Sequence, residues 1–151
     1  MTNEQLVNLL TETFSGAEVK QGTQYPEITV KVSQLHQTAL KLRDDKSLAF
    51  DYLICLSGVD YTENIAIVYH LESTTHRHVI VLKTRTEGRE KPVVDTVCDI
   101  WPTAEFHERE VYDLLGVSFN NHPDQRRLFL DDDWGHPLRK DYVDHVHIVE
   151  R

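Results

Sequence analysis

The chain has 151 residues, the size of one ordinary domain, and is long enough to bury one hydrophobic core. Its formal net charge is −9, and no basic face for nucleic-acid phosphates or anionic lipid headgroups is visible in the sequence. These properties exclude a nucleic-acid binder and a protein that docks on a membrane by its own charge.

The first third of the chain predicts two helices separated by a strand. Residues 2–5 read Thr-Asn-Glu-Gln, a capping box, and apolar residues then recur at helical spacing until Gly16. Residues 28–32 alternate between apolar and polar side chains, which predicts a strand. A second helix begins at Ser33, because Leu35 and later apolar residues share one helical face.

Three strands are predicted in the middle of the chain, over residues 50–58, 65–71 and 78–83. These segments are rich in valine, isoleucine and tyrosine, and polar turns separate them. Because the connections are short, we expect the strands to form an antiparallel meander.

Two further helices are predicted after the strands. Apolar residues recur at i, i+3, i+4 and i+7 from Val94 to Trp101, which indicates a helix that Pro102 interrupts. A last helix begins at Thr103 and ends at Gly116. On this interpretation Trp101 belongs to the core.

Together these elements predict an α+β fold for residues 1–116, with helices packed on one face of a mostly antiparallel sheet. Residues 117–151 keep neither the helical nor the strand period, which predicts an extended irregular C-terminal tail. An irregular stretch of that length is uncommon inside a compact domain. We therefore expect the tail to clamp a partner protein, and we expect a chain cut at Gly116 to fold without it.

The last helix and the tail carry charged motifs at fixed positions. A Glu-Arg-Glu triplet precedes an acidic residue and two leucines, and a His-Pro-Asp triplet with two arginines follows. These residues are Glu108, Arg109, Glu110, Asp113, Leu114, Leu115, His122, Pro123, Asp124, Arg126 and Arg127. Residues 135–141 read GHPLRKD. The motifs resemble those of the 30-kilodalton subunit (the C subunit) of NADH:quinone oxidoreductase, respiratory complex I, and residues 50–53 and 58–61 resemble that family's central strands.

The resemblance implies a non-catalytic structural subunit that braces the quinone-reducing module of the enzyme. It implies as partners the 49-kilodalton quinone-site subunit (the D subunit) and the subunit that holds the terminal iron–sulfur cluster. Iron–sulfur clusters, FMN, NADH and quinone would be bound by partner subunits. The whole enzyme would pass electrons from NADH to quinone and translocate protons or another ion, with this chain on the cytoplasmic side of the membrane.

The charged residues of the helix and tail have two interpretations. On the helix, Arg109 stands four residues from Glu105 and from Asp113, which is typical of a solvated face of ion pairs. Alternatively, the charges cross an interface, where arginine pairing fixes the register of two proteins. With the resemblance, we favour the interface, and Trp134 is predicted to be an aromatic anchor. The predicted partner-binding residues are Glu108, Arg109, Glu110, Asp113, His122, Arg126, Arg127, Trp134, His136, Arg139 and Lys140.

Motifs for chemistry within this chain are weak. The two cysteines, Cys55 and Cys98, cannot supply an iron–sulfur cluster, which takes about four thiolates. Histidine pairs at positions 76/78 and 145/147 and the aspartates at 131–133 have no spacing that defines a metal site. We therefore expect no catalytic, cofactor-binding or metal-binding residues here. Two alternatives stay open: the equivalent subunit of a related membrane-bound hydrogenase or complex-I-like dehydrogenase, and a stand-alone metal-dependent hydrolase.

The sequence also bears on location. No apolar run approaches the roughly 18–20 residues that a membrane-spanning helix needs, and the N-terminus has no basic start or small-residue cleavage site. We expect a soluble chain that stays in the cytoplasm and is held at a membrane only by its partners.

Overall fold

The computed structural model describes residues 1–144 and 146, and within them the chain forms an α+β fold, as predicted. The helices are α1 (Asn3–Thr13), α2 (Leu35–Asp44) and α3 (Ala104–Leu115). The strands are β1 (Glu18–Gln21), β2 (Pro26–Lys31), β3 (Tyr52–Asp60), β4 (Ile65–Ser73), β5 (His78–Arg85), β6 (Val93–Asp95) and β7 (Ser118–Asn120). A short 3-10 turn, Val32–Gln34, leads into α2.

A mostly antiparallel sheet of five strands has the order β1-β2-β5-β4-β3. Strands β3, β4 and β5 form the predicted meander, while β2 joins β5 in parallel. Side chains on one face of β4 are fully buried and belong to the core that the helices cover. This core includes Leu6, Leu10, Leu35, Ala39, Leu42, Ile65, Ile67, Tyr69, Leu71, Val111 and Leu115.

The N-terminal helix begins with the predicted capping box. The Thr2 hydroxyl accepts a hydrogen bond from the Gln5 backbone N–H at 3.3 Å, and the Gln5 side-chain oxygen accepts one from the Thr2 backbone N–H at 2.8 Å. These contacts satisfy backbone donors that a helix start leaves without partners.

The prediction of a helix from Val94 to Trp101 is wrong. Residues Val93–Asp95 instead form β6, which pairs in parallel with β7, and a turn follows. Trp101 is buried as predicted, and its indole N–H donates to the Phe50 carbonyl at 3.0 Å. The buried positions match a helical period by coincidence. The strand that pairs with β6, Ser118–Asn120, is more than twenty residues away in the chain, so the local pattern did not reveal the pairing. Strands β1 and β7 were not predicted either.

Helix α3 lies directly on β3. The contact is close at Gly58, where an added Cβ would lie 2.4 Å from Leu115 Cδ1 and 3.1 Å from Val111 Cγ1. The helix ends, as predicted, at Gly116, whose φ of 74° lies in the left-handed region that glycine adopts easily. Within the residues described, no helix combines the length and apolar character needed to cross a lipid bilayer.

Candidate functional site

Glu108 is a fully buried member of the charged motif, with no exposed surface. Its carboxylate accepts hydrogen bonds from the Thr96 hydroxyl at 2.5 Å, the Val97 backbone N–H at 2.8 Å and the Cys98 thiol at 3.2 Å. Burial raises the pKa of the Glu108 carboxyl, although these donors partly oppose that rise. The side chain therefore fixes the turn after β6 against α3.

Arg109 holds the start of the tail against the same helix. Its guanidinium donates to the backbone carbonyl of Arg126 at 3.2 Å and to that of Arg127 at 2.9 Å. No ion pair joins it to Glu105 or Asp113 among the described contacts. The helix face is therefore not a ladder of ion pairs, because the arginine binds main-chain oxygens of the tail.

Asp113 binds the next part of the tail. One carboxylate oxygen accepts from the backbone N–H groups of Leu128, Phe129 and Leu130, at 3.2, 2.7 and 3.1 Å. The other accepts from the Arg127 guanidinium at 2.9 Å. Burial raises the pKa of the Asp113 carboxyl, but the donors from Phe129, Arg127 and their neighbours outweigh it, so the pKa lies below its ordinary value.

The tail supplies the C-terminal cap of α3. The Asp113 carbonyl accepts from Arg127 and His136, and the Leu114 and Leu115 carbonyls accept from other tail groups. The Leu114 oxygen binds the Leu138 backbone N–H at 3.0 Å, and the Leu115 oxygen binds Arg139 Nε at 2.7 Å. The last carbonyls of a helix have no partner within it. The GHPLRK segment therefore satisfies the end of α3.

A second ion-pair group ties the tail to the sheet. Arg89 donates to the carboxylate of buried Asp60 and to that of Asp141, at 2.6 and 2.7 Å. Asp60 also accepts from the Lys140 backbone N–H at 2.9 Å. The Arg89 hydrogen bonds, which outweigh the effect of burial, hold the pKa of Asp60 well below its ordinary value. Sequence reasoning did not single out Arg89, because it lies in a loop without a motif.

The tail, which was predicted to clamp a partner protein, thus makes many contacts within its own chain. Glu108 and Asp113 are fully buried, so neither lies on a solvated face nor can reach a partner in this fold. Arg109, His122, Arg127, His136 and Arg139 also bind groups of this chain. A cut at Gly116 would remove the donors of a buried aspartate, so the shortened chain should not keep its stability.

Two of the predicted partner-binding residues, Arg126 and Lys140, face outward, and so do two apolar tail residues that were not predicted. The side chain of Arg126 is 70% exposed and pairs only with Asp124 within the described contacts. Phe129 and Leu138 are 66% and 60% exposed, and Lys140, two residues after Leu138, is also exposed. We call this set, together with the half-buried Glu110, the tail face.

A groove of about 250 Å³ adjoins the tail face, lined by Leu56, Ser57, Gly58, Glu110, Val111, Leu114, Leu115 and Leu138. The groove follows the contact between α3 and β3. Trp134 is only half-buried, and its carbonyl accepts from Arg127. Its predicted role as a partner anchor stays a prediction.

Within the described residues, the other chemical motifs are not assembled into a site. The His76 and His78 rings stack with centroids 6.0 Å apart, and His76 binds the Lys46 carbonyl. The aspartates at 131–133 are exposed, and His145 and His147 lie outside the described residues. In the described part of the chain, one cluster of potential metal donors exists, formed by Cys98, Glu108 and His122. The sequence prediction did not identify that cluster.

Comparison with known proteins adds sequence relatives. The family described as the 30 Kd subunit of the respiratory-chain NADH dehydrogenase matches residues 28–146. The C subunit of the NADH-quinone oxidoreductase of Chloroherpeton thalassium is 40% identical over 146 residues, which cover 93% of this chain and 60% of that protein. Its counterpart in Chlorobium phaeobacteroides is 42% identical over 137 residues, covering 87% of this chain and 75% of that protein.

Some relatives carry two subunits on one polypeptide. The fused C/D polypeptide of the NADH-quinone oxidoreductase of Phocaeicola vulgatus is 54% identical over 117 residues, covering 76% of this chain and 22% of that protein. The chain therefore spans about a fifth of this fused relative and three fifths of the Chloroherpeton protein.

A solved structure shares the fold. It is the membrane-bound sulfane sulfur reductase, an archaeal respiratory membrane complex, one chain of which superimposes with a TM-score of 0.80 at 27% identity. The alignment covers 95% of this chain and 86% of that chain.

Proposed function

Because the chain belongs to the 30 Kd subunit family of the respiratory-chain NADH dehydrogenase, we propose that it is a structural subunit of an NADH:quinone oxidoreductase. In this role it braces the quinone-reducing module and leaves electron transfer to subunits that hold FMN, iron–sulfur clusters and quinone. The assembled enzyme passes electrons from NADH to quinone and translocates ions.

The observation that carries the proposal is the fusion of the C and D subunits in relatives such as the Phocaeicola protein. Two domains on one polypeptide stay at high effective concentration, which is useful when they act as one unit. The partner we propose first is therefore the 49-kilodalton subunit. The subunit with the terminal iron–sulfur cluster is the second partner, as the resemblance implies.

The tail face is the docking surface that the geometry favours. Phe129 and Leu138 expose 66 and 60% of their surface although their own backbone N–H groups bind Asp113 and Leu114. Large apolar side chains held in place at a surface are typical of protein interfaces. Arg126 and Lys140 add positive charges there, on a chain whose net charge is −9. Contact of this face with the 49-kilodalton subunit would hold the chain at the cytoplasmic side of the membrane.

A second candidate is the equivalent subunit of a complex with another electron donor or acceptor. The structural match to a chain of the sulfane sulfur reductase complex favours it, because the same fold serves there in a different respiratory complex. A stand-alone metal-dependent hydrolase has less support, since the aspartates at 131–133 and the histidines at 76 and 78 do not meet in one site.

The test is affinity purification of the tagged chain from gently solubilised membranes, with mass identification of bound proteins and an assay of NADH-driven quinone reduction. Recovery of the 49-kilodalton subunit with that activity supports the first candidate. Recovery of a complex without NADH oxidation supports the second. A lone monomer with stoichiometric metal and hydrolytic activity would overturn both.

A substitution locates the docking surface in the same experiment. Leu138→Glu keeps the backbone bond to Leu114 but places a charge in the groove, so it should reduce recovery of the 49-kilodalton subunit. Leu40→Glu is the control, because Leu40 is 37% exposed on α2, away from the tail face. Equal recovery with both variants would exclude the tail face as the docking surface.

A further inference from the structure

Cys98, Glu108 and His122 bring three different metal donors together. The Cys98 sulfur, a Glu108 carboxylate oxygen and a His122 ring nitrogen all lie within 4.8 Å of one another. The same Glu108 oxygen is 3.2 Å from Cys98 Sγ and 3.7 Å from His122 Nε2. Tetrahedral ligands at zinc bond lengths lie about 3.3–3.7 Å apart, so only small shifts are needed for one ion to contact all three.

Two further observations mark this place as a site. The Tyr69 hydroxyl is fully buried and has no hydrogen-bond partner among the described residues, and burial, together with the charges of Glu108 and Cys98, raises its pKa. A buried hydroxyl without a partner is rare. A cleft of about 610 Å³, lined by Cys98, Thr96, Asp95, Asp99 and His36 among others, also leads from the surface to the thiol. An ion could therefore reach the cluster from solvent.

We propose that Cys98, Glu108 and His122 form a three-ligand site for a divalent transition metal of the zinc class. A thiolate, a carboxylate and an imidazole are each zinc ligands, and a site with three protein ligands leaves a fourth position open. Of the three ligands, Cys98 lines the cleft, from which water or a small anion would complete the coordination. The proposal is independent of the role of the chain in a respiratory complex.

Neighbouring groups already orient Glu108, the central ligand of the three. The Thr96 hydroxyl and the Val97 backbone N–H hold the Glu108 carboxylate, as outer-shell donors do in metal sites. The three ligands come from the turn after β6, from α3 and from the turn after β7. A bound ion would therefore cross-link three elements that lie between residues 98 and 122.

Metal entry requires two proton movements. The Cys98 thiol donates to Glu108, and burial with the neighbouring Glu108 charge raises its pKa to about 12. A bound cation reverses this electrostatic balance, so the thiol proton leaves to solvent as the metal–sulfur bond forms. The hydrogen-bond pattern places a proton on His122 Nε2, which faces the Glu105 carbonyl, while Nδ1 accepts from the Asp124 backbone N–H. That proton must move to Nδ1, so the Asp124 contact breaks.

The experiment is titration of the full chain, first stripped with a chelator, with Co²⁺ and then Zn²⁺. One Co²⁺ per chain should give an intense thiolate-to-metal absorption band, and Zn²⁺ should abolish it by displacement. Cys98→Ser should lose the band and weaken zinc binding at least about tenfold. Cys55→Ser is the matched control, because Cys55 is the other free thiol and lies 3.4 Å from His70. It should keep the band.

A second readout does not depend on the cysteine. Zinc should raise the Tm of the wild-type chain and of Cys55→Ser, and raise it much less in His122→Gln. No thiolate band, a band that survives in Cys98→Ser, or an equal rise of Tm in all variants would overturn the proposal. The last outcome would indicate adventitious binding at surface histidines.

Discussion

The guanidinium of Arg127 lies 2.9 Å from the carboxylate of Asp113, and this pair joins the tail to the last helix. The Arg127 side chain is 16% exposed and that of Asp113 is fully buried. Arg127 also donates to the carbonyls of Trp134 and Gly135. One arginine thus binds both the helix and the adjacent tail residues Trp134 and Gly135, which makes it a central contact of the C-terminal region.

Substitution of Arg127 should therefore destabilise the chain. Arg127→Ala leaves the buried Asp113 carboxylate without its cation, and loss of one partner of a buried pair costs about 3 kcal/mol. Arg126→Ala is the matched control, since the Arg126 side chain is 70% exposed and should change the free energy of unfolding by less than about 0.5 kcal/mol. Chemical denaturation measures both. Equal effects would show that the buried pair is not the source of the stability.

The close contact between α3 and β3 is possible because Gly58 has no Cβ. Gly58→Ala places a Cβ 2.4 Å from Leu115 Cδ1, so the helix must move or the leucine must change rotamer. Overpacking of this kind costs about 1–3 kcal/mol. Gly88→Ala is the control because nothing lies within 4 Å of its added Cβ. A Tm equal to that of the control would mean that the groove adapts without strain.

Low pH should reduce the free energy of unfolding, because Asp60 and Asp113 become protonated. Both carboxyl pKa values are lowered in the fold, for Asp60 chiefly by the Arg89 hydrogen bond. Their stabilisation is complete above the unfolded pKa of about 3.9 and is lost as pH falls through the folded values. The free energy of unfolding should therefore fall steeply below about pH 4.

The Asp60→Asn variant tests this assignment. It lacks one of the carboxyls whose pKa the fold lowers, so it should be less stable than the wild type at pH 7 and should lose less stability between pH 5 and 2. Urea denaturation across that range provides the comparison. A variant whose acid dependence equals that of the wild type would remove Asp60 from the explanation.

Glu108 should make the free energy of unfolding depend on pH in the opposite direction. Burial raises its pKa, so the folded chain binds a proton more tightly than the unfolded chain does. The free energy of unfolding should then decrease as pH rises from about 4.3 to the folded pKa. Glu108→Gln should lack this decrease, and the difference in stability between the two proteins should change over that interval. A constant difference would contradict a raised Glu108 pKa.

Local patterns were sufficient where residue type and spacing mark an element directly. The capping box at Thr2, the meander and the end of α3 at Gly116 were each predicted from spacing and residue type. The segment from Val94 to Trp101 was misassigned because its partner strand β7 is distant in the chain.

The sequence by itself determined the fold class, the helix and strand types over most of the chain, and the motifs that identify the family. The tertiary structure alone decided which way the charged residues face. A glutamate or aspartate is normally expected at the surface, because burial of a charge is costly unless partners compensate. The partners of Glu108 and Asp113 come from the turn after β6 and from the tail, and only folding brings those segments together.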